Sequence, residues 1–251
     1  MSEYISIKNL SVRFGSVEAL KNVDLEIPRN QITTVFGPAN SGKTVLMRAI
    51  NRMIELSPTL QRSGDITING ESIFRPEVDV AVLRRRVSMV FALPTPLPMS
   101  IYENVIYGLR LMGEKNREKL DAQVQYGLEA AALWNEVRNR LHDPALSLSG
   151  GQQQRLCLAR SLALDPDILL LDAPTAALDP ISTAQIEETM IELKSRYTII
   201  LVPHNFHQGA RVADRAAFFL GGECIEVGTV SQIFTAPRDS RTEDYVSGRF
   251  G

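Results

Sequence analysis

A short glycine-rich stretch, 37-GPANSGKT-44, restricts the possible folds of this chain more than any other part of its sequence. It fits the pattern G-x-x-x-x-G-K-[ST] and follows the predicted strand 31–36. The segment after it has apolar residues at helical spacing: Leu46, Ile50, Met53 and Ile54. In this order of strand, loop and helix, the backbone N–H groups of the loop converge on phosphate oxygens. The sequence therefore predicts a phosphate-binding loop in an α/β domain.

The residues of this loop have distinct expected roles. Lys43 supplies a mobile cation, and the hydroxyl of Thr44 can reach a magnesium ion. The expected phosphate-contacting residues are Gly37, Pro38, Ala39, Asn40, Ser41, Gly42, Lys43, Thr44 and Val45. A turn that caps a helix without a ligand fits less well, because strand, loop, Lys-Thr pair and helix all occur in order.

A second carboxylate-bearing strand supports the same interpretation. The stretch 168-ILLLDAPTAALDP-180 begins with four branched apolar residues, typical of a fully buried strand, that run directly into Asp172. A carboxylate at the end of such a strand is the expected second magnesium contact of a nucleotide-hydrolysing protein with this loop. Thr44 and Asp172 are thus the predicted metal ligands, and Lys43 and Asp172 are predicted to take part in the chemistry.

Composition excludes several other classes of protein. The 251 residues, 44% of them hydrophobic, can form one large domain or a domain with an inserted lobe. A net charge of −2 does not indicate the basic surface that nucleic-acid-binding proteins use, and the basic run Arg84–Arg86 is interpreted as a solvated face. Cys157 and Cys224 have no metal-binding spacing, and both are expected in the core. No apolar run approaches the ~20 residues that span a bilayer, so a cytosolic chain is expected unless something holds it at a membrane.

The pattern along the chain predicts an α/β core that is interrupted by helices. Strand signals occur before residue 92, and Asn69-Gly70 among them predicts a hairpin. Helical periodicity dominates from Pro94 to Leu164, and strand signals return at Ile168. We therefore expect one domain, with a core formed by 1–91 and 165–251 and an inserted helical lobe formed by 92–164.

A second motif, 148-LSGGQQQR-155, makes the prediction far more specific. Ser149, Gly150, Gly151 and Gln152 open a helix with a hydroxyl and bare amides, which can accept an anion much as the first loop does. Here the sequence resembles the ATP-binding subunits of ABC transporters. In that family two subunits pair head to tail, so that this loop of one subunit covers the γ-phosphate held by the other.

The resemblance implies further site residues and a fold. Phe14 matches the aromatic position that stacks on adenine, Asp179 lies in the matching loop after the magnesium strand, and His204 matches the switch histidine near the γ-phosphate. It also implies a P-loop NTPase core, with a mixed sheet flanked by helices, an antiparallel β subdomain and an inserted α-helical subdomain. ATP and magnesium are the implied cofactors.

Within the family, the chain is most similar to the ATPase subunits of phosphate importers. The segments that carry this closer resemblance are 50-INRM-53, 79-DVAVLRRRVSMVF-91, 101-IYENVIYGLRL-111, 141-LHDPALSLSGGQQQRLCLAR-160, 212-VADRAAFF-219 and 242-TEDYVSGRFG-251. The resemblance implies a homodimer on the cytoplasmic face of the cell membrane, bound to transmembrane permease subunits. An extracytoplasmic binding protein would be an indirect partner, and ATP would drive inorganic phosphate inward.

Two positions depart from the family at the chemistry itself. The family places Glu after the magnesium-binding Asp, as the base for the attacking water, and Gln after Val-Phe; this chain has Ala173 and Ala92. A general base contributes typically ~10²–10⁴-fold to a rate. An ABC-type ATPase with strongly reduced turnover is therefore one expectation. The alternative is a hydrolysis-impaired regulatory or binding paralogue, acting alone or paired with an intact subunit.

Overall fold

The computed structural model describes residues 3–176 and 178–249. Its strands are β1 (Glu3–Phe14), β2 (Val17–Pro28), β3 (Ile32–Phe36), β4 (Leu60–Ile68), β5 (Glu71–Ser72), β6 (Val87–Val90), β7 (Ile168–Asp172), β8 (Thr198–Val202), β9 (Arg215–Leu220) and β10 (Glu223–Thr229). Its α-helices are α1 (Lys43–Ile50), α2 (Val80–Arg86), α3 (Ile101–Leu111), α4 (Arg117–Ala130), α5 (Trp134–Val137), α6 (Gly150–Leu162), α7 (Pro180–Leu193), α8 (Phe206–Val212), α9 (Val230–Thr235) and α10 (Ser240–Val246). Short 3₁₀ turns cover Met53–Leu56 and Ala145–Ser147.

The smaller sheet is antiparallel and has the strand order β2-β1-β4-β5. Strands β4 and β5 are joined at Asn69 and Gly70, whose φ angles of 53° and 80° place both in the left-handed region that tight hairpin turns require. The hairpin and the antiparallel β subdomain expected from the sequence are both confirmed.

The larger sheet has six strands in the order β10-β9-β3-β8-β7-β6, and the neighbours from β9 to β6 are parallel. Strand β7 is buried along its whole length. Its side chains alternate between two hydrophobic clusters: Ile168 and Leu170 pack on one side, and Leu169 and Leu171 pack on the other. A parallel strand covered on both faces is apolar at every position, which explains the uninterrupted run in the sequence.

Helices fill the segment between β6 and β7. Helix α6 packs against α3, α4 and β6, so this helical segment shares one hydrophobic cluster with a face of the larger sheet. The predicted fold class, a mixed sheet flanked by helices with a helical insertion, is confirmed. The residue limits 92 and 164 stay a prediction.

The first helix is shorter than its apolar pattern suggests. Helix α1 ends at Ile50, Arg52 adopts the left-handed region with φ 58°, and the chain continues as a 3₁₀ turn from Met53. The Arg84 side chain of α2 donates to the carbonyl oxygens of Asn51 and Arg52 at 3.2 and 3.1 Å, which satisfies groups at the end of the helix. Arg84 is half-buried and contacts the backbone, so the interpretation of this run as a solvated face fits the exposed Arg86 better than Arg84.

The two cysteines, both expected in the core, differ in burial. Cys157 is buried and Cys224 is half-buried, so only the first is fully in the core. Within the ranges 3–176 and 178–249, no helix combines the length and the apolar character needed to cross a bilayer.

Candidate functional site

Loops that carry predicted site residues leave one edge of the larger sheet. Strands β3, β8, β7 and β6 are parallel neighbours in that order, so their carboxyl ends share an edge. Strand β3 leads into Gly37, β8 leads towards His204, β7 ends at Asp172, and β6 leads into Phe91 and Ala92. Ligands of open parallel sheets bind outside these carboxyl ends. The strand order thus brings together segments that are far apart in the sequence.

Two glycines allow the loop before α1 to form. Gly37 and Gly42 have φ angles of 146° and 96°. A Cβ atom on Gly37 would lie 2.0 Å from the Phe219 carbonyl oxygen, and one on Gly42 would lie 2.7 Å from the Ala19 carbonyl oxygen. Asn40 also has a positive φ, 60°, which asparagine tolerates better than most residues. The loop therefore needs glycine at both ends, as the motif predicts.

Lys43 lies across this loop. Its Nζ donates to the carbonyl oxygens of Gly37 at 2.9 Å and Pro38 at 2.6 Å, and to Ser41 Oγ at 3.1 Å. Burial lowers the pKa of Lys43, and the charge of Asp172 partly opposes that shift. The ammonium group is thus held at the mouth of the loop, on the side where an anion would replace carbonyl oxygens as its partner.

A cavity of about 310 Å³ adjoins the loop. It is lined by residues 40–45 and by Val17, Glu18 and Ala19 at the start of β2. Phe14 is half-buried and pairs with Val17 across the turn that joins β1 and β2. Val17 is 64% exposed although it is apolar, and the sequence analysis missed it. Phe14 and Val17 therefore form an apolar edge beside the phosphate loop, where a flat base could pack.

Asp172 and Thr44, the predicted metal ligands, carry oxygen atoms of the kind that magnesium prefers. Asp172 is buried, with 9% of its surface exposed, and Thr44 is half-buried in the first turn of α1. No group of three or more His, Cys, Asp or Glu side chains in the described ranges could hold a metal alone. Magnesium bound with a nucleotide does not need one, because phosphates and water supply most of its ligands. Its ligands and chemistry here would come from one carboxylate, one hydroxyl and the nucleotide.

Ala173 occupies the position where a general base is expected. Its N–H donates to the Val202 carbonyl oxygen at 2.7 Å, and its φ of 47° lies in the left-handed region. A residue with a Cβ costs roughly 1–2 kcal/mol in that conformation, so the backbone here is strained. The side chain is only a methyl group. It cannot take a proton from water.

Ala92 likewise lacks a polar group. It lies near the start of the connector, residues 91–100, which joins β6 to α3. The preceding carbonyl oxygen, that of Phe91, accepts a hydrogen bond from Gln154 Nε2 at 2.9 Å, and Gln154 is only 1% exposed. The connector is therefore fixed to α6, the helix that carries the second motif. The sequence analysis did not identify Gln154.

His204 borders a different cavity, of about 390 Å³. Its side chain is exposed, and its N–H donates to Gln208 Oε1 at 3.2 Å. The residues lining this cavity come from the segment after Asp172, from α7 and from the start of α8, and none of them lines the cavity beside the phosphate loop. The structure therefore does not place His204 in the same cavity as Lys43.

The second motif begins α6 with a capping box. Ser149 Oγ accepts from the Gln152 N–H at 3.4 Å, and Gln152 Oε1 accepts from the Ser149 N–H at 3.1 Å. Ser149 Oγ acts only as an acceptor in this pair, which leaves its O–H available as a donor. A Cβ on Gly150 would meet nothing within 4 Å, so the first turn of α6 is open on that side.

A carboxylate that the sequence analysis missed holds the first turn of α6. Glu136 accepts from Gln152 Nε2 at 2.7 Å and from Arg155 Nη1 at 2.6 Å, and Arg155 is 3% exposed. Burial raises the pKa of Glu136, but the bonds from Arg155 and Gln152 outweigh burial and the net shift is downward. No short sequence pattern links Glu136 to this helix; only its place on α5 does.

Asp179 caps α7 and lies beside the same turn. Its Oδ1 accepts from the N–H groups of Ile181 and Ser182, each at 2.9 Å, and its Oδ2 accepts from Ser182 Oγ at 2.6 Å. A Cβ on Gly151 would lie 2.5 Å from Ser182 Oγ, so the absence of a side chain there lets α6 and α7 approach. Residues 149–152 do not line the cavity beside the phosphate loop. One chain thus carries two separate candidate phosphate sites.

This combination of a phosphate loop, a buried strand ending in aspartate and a second capped glycine motif defines a class of nucleotide-binding transporter subunits. The sequence profile of the family described as ABC transporter matches residues 20–176, and the chain belongs to this family. It is 51% identical over 247 residues to the "Phosphate import ATP-binding protein PstB" of Shewanella denitrificans, covering 98% of this chain and 91% of that protein. It is also 51% identical over 251 residues to "Phosphate import ATP-binding protein PstB 2" of Lactiplantibacillus plantarum, and the match covers 100% of both.

Solved structures agree on the fold. CbiO1 from Clostridium perfringens, part of the ABC transporter complex CbiONQ, superimposes with a TM-score of 0.81 at 25% identity, covering 99% of this chain and 97% of that one. A bacterial Atm1-family ABC exporter with ATP bound gives a TM-score of 0.81 at 22% identity, over 99% of this chain and 42% of that one, which supports the fold alone. The family resemblance and the fold class inferred from sequence are confirmed. The chain is an ATP-binding subunit of the ABC ATPase class.

Proposed function

We propose that this chain is the ATP-binding subunit of an importer for inorganic phosphate. The observation that carries the proposal is 51% identity over essentially the whole chain to proteins named for phosphate import and ATP binding. The identity extends well beyond the phosphate loop and the second motif. It therefore supports a shared partner and solute as well as a shared nucleotide.

The nucleotide would be held between two copies of the chain. The N-termini of α1 and α6 each present free N–H groups, yet residues 149–152 do not line the cavity beside Lys43. Head-to-tail pairing lets the Ser149 loop of one copy meet the phosphates that Lys43 of the other copy holds. Closure of this pair of chains would be driven by nucleotide binding at both sites. The pair would open again after the γ-phosphate is lost.

Within each site, the residues divide the work by their chemistry. Phe14 and Val17 pack against the base, the amides of 37–44 and Lys43 bind the β- and γ-phosphates, and Thr44 and Asp172 hold magnesium. Magnesium held there would supply positive charge that stabilises the transferred phosphoryl group. Asp179 and the loop of His204 act in the closed dimer, where the second copy completes the site.

Contact with a transmembrane permease would involve the helical segment, for which we propose the limits 92–164. Its connector and the C-terminal half of α3 expose apolar side chains: Leu93 and Leu111 are each 72% exposed, and Met112 is 50% exposed. Tyr107 and Leu111 are one turn apart and share a face of α3. This surface suits a helix presented by membrane subunits, and the chain would then lie on the cytoplasmic face of the membrane. An extracytoplasmic binding protein would deliver phosphate to the permease without contacting this chain.

The alternative of a regulatory paralogue has less support, because the relatives that match over the whole chain carry import names. Ala173 and Ala92 affect the expected rate rather than the class. Loss of a general base slows hydrolysis by ~10²–10⁴-fold, whereas phosphate binding by amides, Lys43 and magnesium retains all its contacts. We therefore propose an importer subunit with slow ATP turnover.

Uptake into proteoliposomes tests this function. The chain is reconstituted with transmembrane permease subunits and a phosphate-binding protein, with ATP on the side of the chain, and accumulation of labelled phosphate is followed with sulfate as a control solute. ATP-dependent uptake of phosphate and not of sulfate is expected, and Lys43→Ala should abolish it. Equal uptake with ADP, or uptake of sulfate alone, would overturn the proposal.

A further inference from the structure

Gln208 joins three parts of the chain, which are the His204 loop, the segment after Asp172 and helix α7. It lies in the first turn of α8, is only 2% exposed, and uses both atoms of its side-chain amide. A buried amide with several partners restrains the groups that it touches, because leaving any of them unpaired is costly.

The first partner is the His204 loop itself. Gln208 Oε1 accepts the His204 N–H at 3.2 Å, and the Gln208 N–H donates to Asn205 Oδ1 at 3.0 Å. Gln208 therefore bonds to two consecutive residues of the loop between β8 and α8. The position of the His204 backbone depends directly on this amide.

The second partner belongs to the segment that follows Asp172. Thr175 Oγ1 lies 2.9 Å from Gln208 Nε2 and 3.1 Å from Gln208 Oε1, and Thr175 is 5% exposed. This contact spans 33 positions in the sequence. It ties the His204 loop to the strand end that is expected to hold magnesium.

The third partner and the packing of α8 fix the amide in place. Gln208 Nε2 also donates to Glu187 Oε1 on α7 at 3.1 Å. Next to Gln208, a Cβ on Gly209 would lie 2.5 Å from Thr34 Oγ1, so α8 is packed closely on β3, the strand that enters the phosphate loop. Gln208 thus links the His204 loop to the segment after β7 and to α7, and the close packing of Gly209 on Thr34 places α8 against β3.

We propose that Gln208 is a positioning residue for hydrolysis, which holds His204 at a fixed place relative to Asp172. The proposal rests on the proposed function, in which His204 acts near the γ-phosphate of the closed dimer. Gln208 does not line the cavity beside the phosphate loop. It acts only through the His204 backbone and Thr175, and a shift of about 1 Å in a positioned group can cost 10²-fold in rate.

Single-turnover hydrolysis, with the full-length chain in excess over labelled ATP, tests this role. Gln208→Met keeps the length of the side chain but removes the amide, and it should slow hydrolysis about 10- to 100-fold. The same change in a His204→Ala background should have almost no further effect, because a residue that acts through His204 has nothing left to position. Nucleotide affinity should stay within about twofold of wild type, since the cavity beside Lys43 is untouched.

Two further variants keep the test decisive. Thr175→Val removes the contact between Thr175 and Gln208 while leaving Gln208 in place, and it should also slow hydrolysis. It therefore tests the same contact if Gln208→Met folds poorly. Arg196→Met breaks the ion pair with Asp165, which measures 2.8 Å and contacts none of the partners of Gln208, and it should hydrolyse ATP at the wild-type rate.

The outcomes separate this inference from the proposed function. If His204→Ala is slow but Gln208→Met and Thr175→Val are as fast as wild type, the positioning role is wrong and the proposed function stands. If Gln208→Met slows the His204→Ala protein by the same factor as wild type, Gln208 has only a structural role. If His204→Ala hydrolyses ATP normally, the role of His204 in the proposed function fails, and this inference fails with it.

Discussion

The N–H of Ala173 lies 2.7 Å from the carbonyl oxygen of Val202, so the hydrogen-bonded ladder between β7 and β8 continues one residue beyond Asp172. This bond fixes the backbone at the position where a general base is expected, and it places that position beside the strand that leads to His204. Under the proposed function, the position lacks only a side chain that can take a proton.

Restoring the side chain should therefore restore the chemistry. Ala173→Glu should raise steady-state phosphate release at saturating magnesium-ATP by ~10²–10⁴-fold, and adding Ala92→Gln should raise it further. Glutamate has the same Cβ as alanine, so the left-handed backbone at this position costs it nothing extra.

Ala173→Gln is the matched control, because its side chain has the length of glutamate but cannot take a proton. It should stay as slow as wild type. Wild-type turnover at tens per second, or equal rates for the Glu and Gln variants, would mean that another group acts as the base.

Lys43 should dominate the affinity for nucleotide. Lys43→Ala removes a charged donor from the phosphates, worth about 1.5–3 kcal/mol, so isothermal titration should give an affinity for ATP weaker by about 10- to 100-fold. Arg48→Ala removes the same charge from an exposed position on the same helix and should bind normally. Equal weakening in both variants would indicate a general charge effect rather than a phosphate contact.

Phe14 should contribute to binding of the base. Stacking of an aromatic ring on a base is worth about 1–3 kcal/mol, so Phe14→Ala should weaken ATP binding about tenfold or more, whereas Phe14→Tyr should retain it. Titration with inorganic triphosphate provides the internal check. Its affinity should not depend on residue 14, and a parallel loss would show that the substitution had disturbed the phosphate loop.

ATP should promote pairing of two chains more than ADP does. Gly150→Glu is a sharp test, since a side chain there meets no neighbour within 4 Å and an acidic residue suits the first turn of α6. Its carboxylate would repel the phosphates of the other copy. Light scattering should detect ATP-dependent dimers for wild type and Gly150→Ala but not for Gly150→Glu. Dimers of all the variants with ATP would argue against a shared site.

Glu136 should make a pH-dependent contribution to stability. Because its pKa is lower in the folded chain than in the unfolded chain, the contribution is present above the unfolded value of about 4.3 and is lost as pH falls through the folded value. At pH 7, Glu136→Gln should lower the free energy of unfolding by about 1 kcal/mol, a modest loss because Glu136 is partly exposed to water.

Denaturant unfolding at pH 7 and near pH 3 measures this difference, and it should shrink at the lower pH. Glu129→Gln changes an exposed carboxylate on α4 and should have little effect at either pH. A loss for Glu136→Gln that is the same at both pH values would mean that the charge on Glu136 is not what holds Arg155.

The sequence by itself determined the features that depend on neighbours in the chain. The phosphate loop needs glycine where φ is positive, the hairpin needs Asn69-Gly70, and the capping box needs Ser149 and Gln152 three residues apart; each can be read locally because its geometry is local. The buried strand ending at Asp172 was equally clear, since a strand covered on both faces must be apolar throughout.

Only the tertiary structure decided what lies across from these motifs. Arg84 from another helix bonds to the chain where α1 ends. Glu136 bonds to α6 and Gln208 bonds to Thr175, and no periodicity in the sequence connects these residues. These contacts follow from the packing of the whole core rather than from any one segment. The separation of His204 from the cavity beside Lys43 has the same origin, because it depends on where β8 and α8 lie in three dimensions.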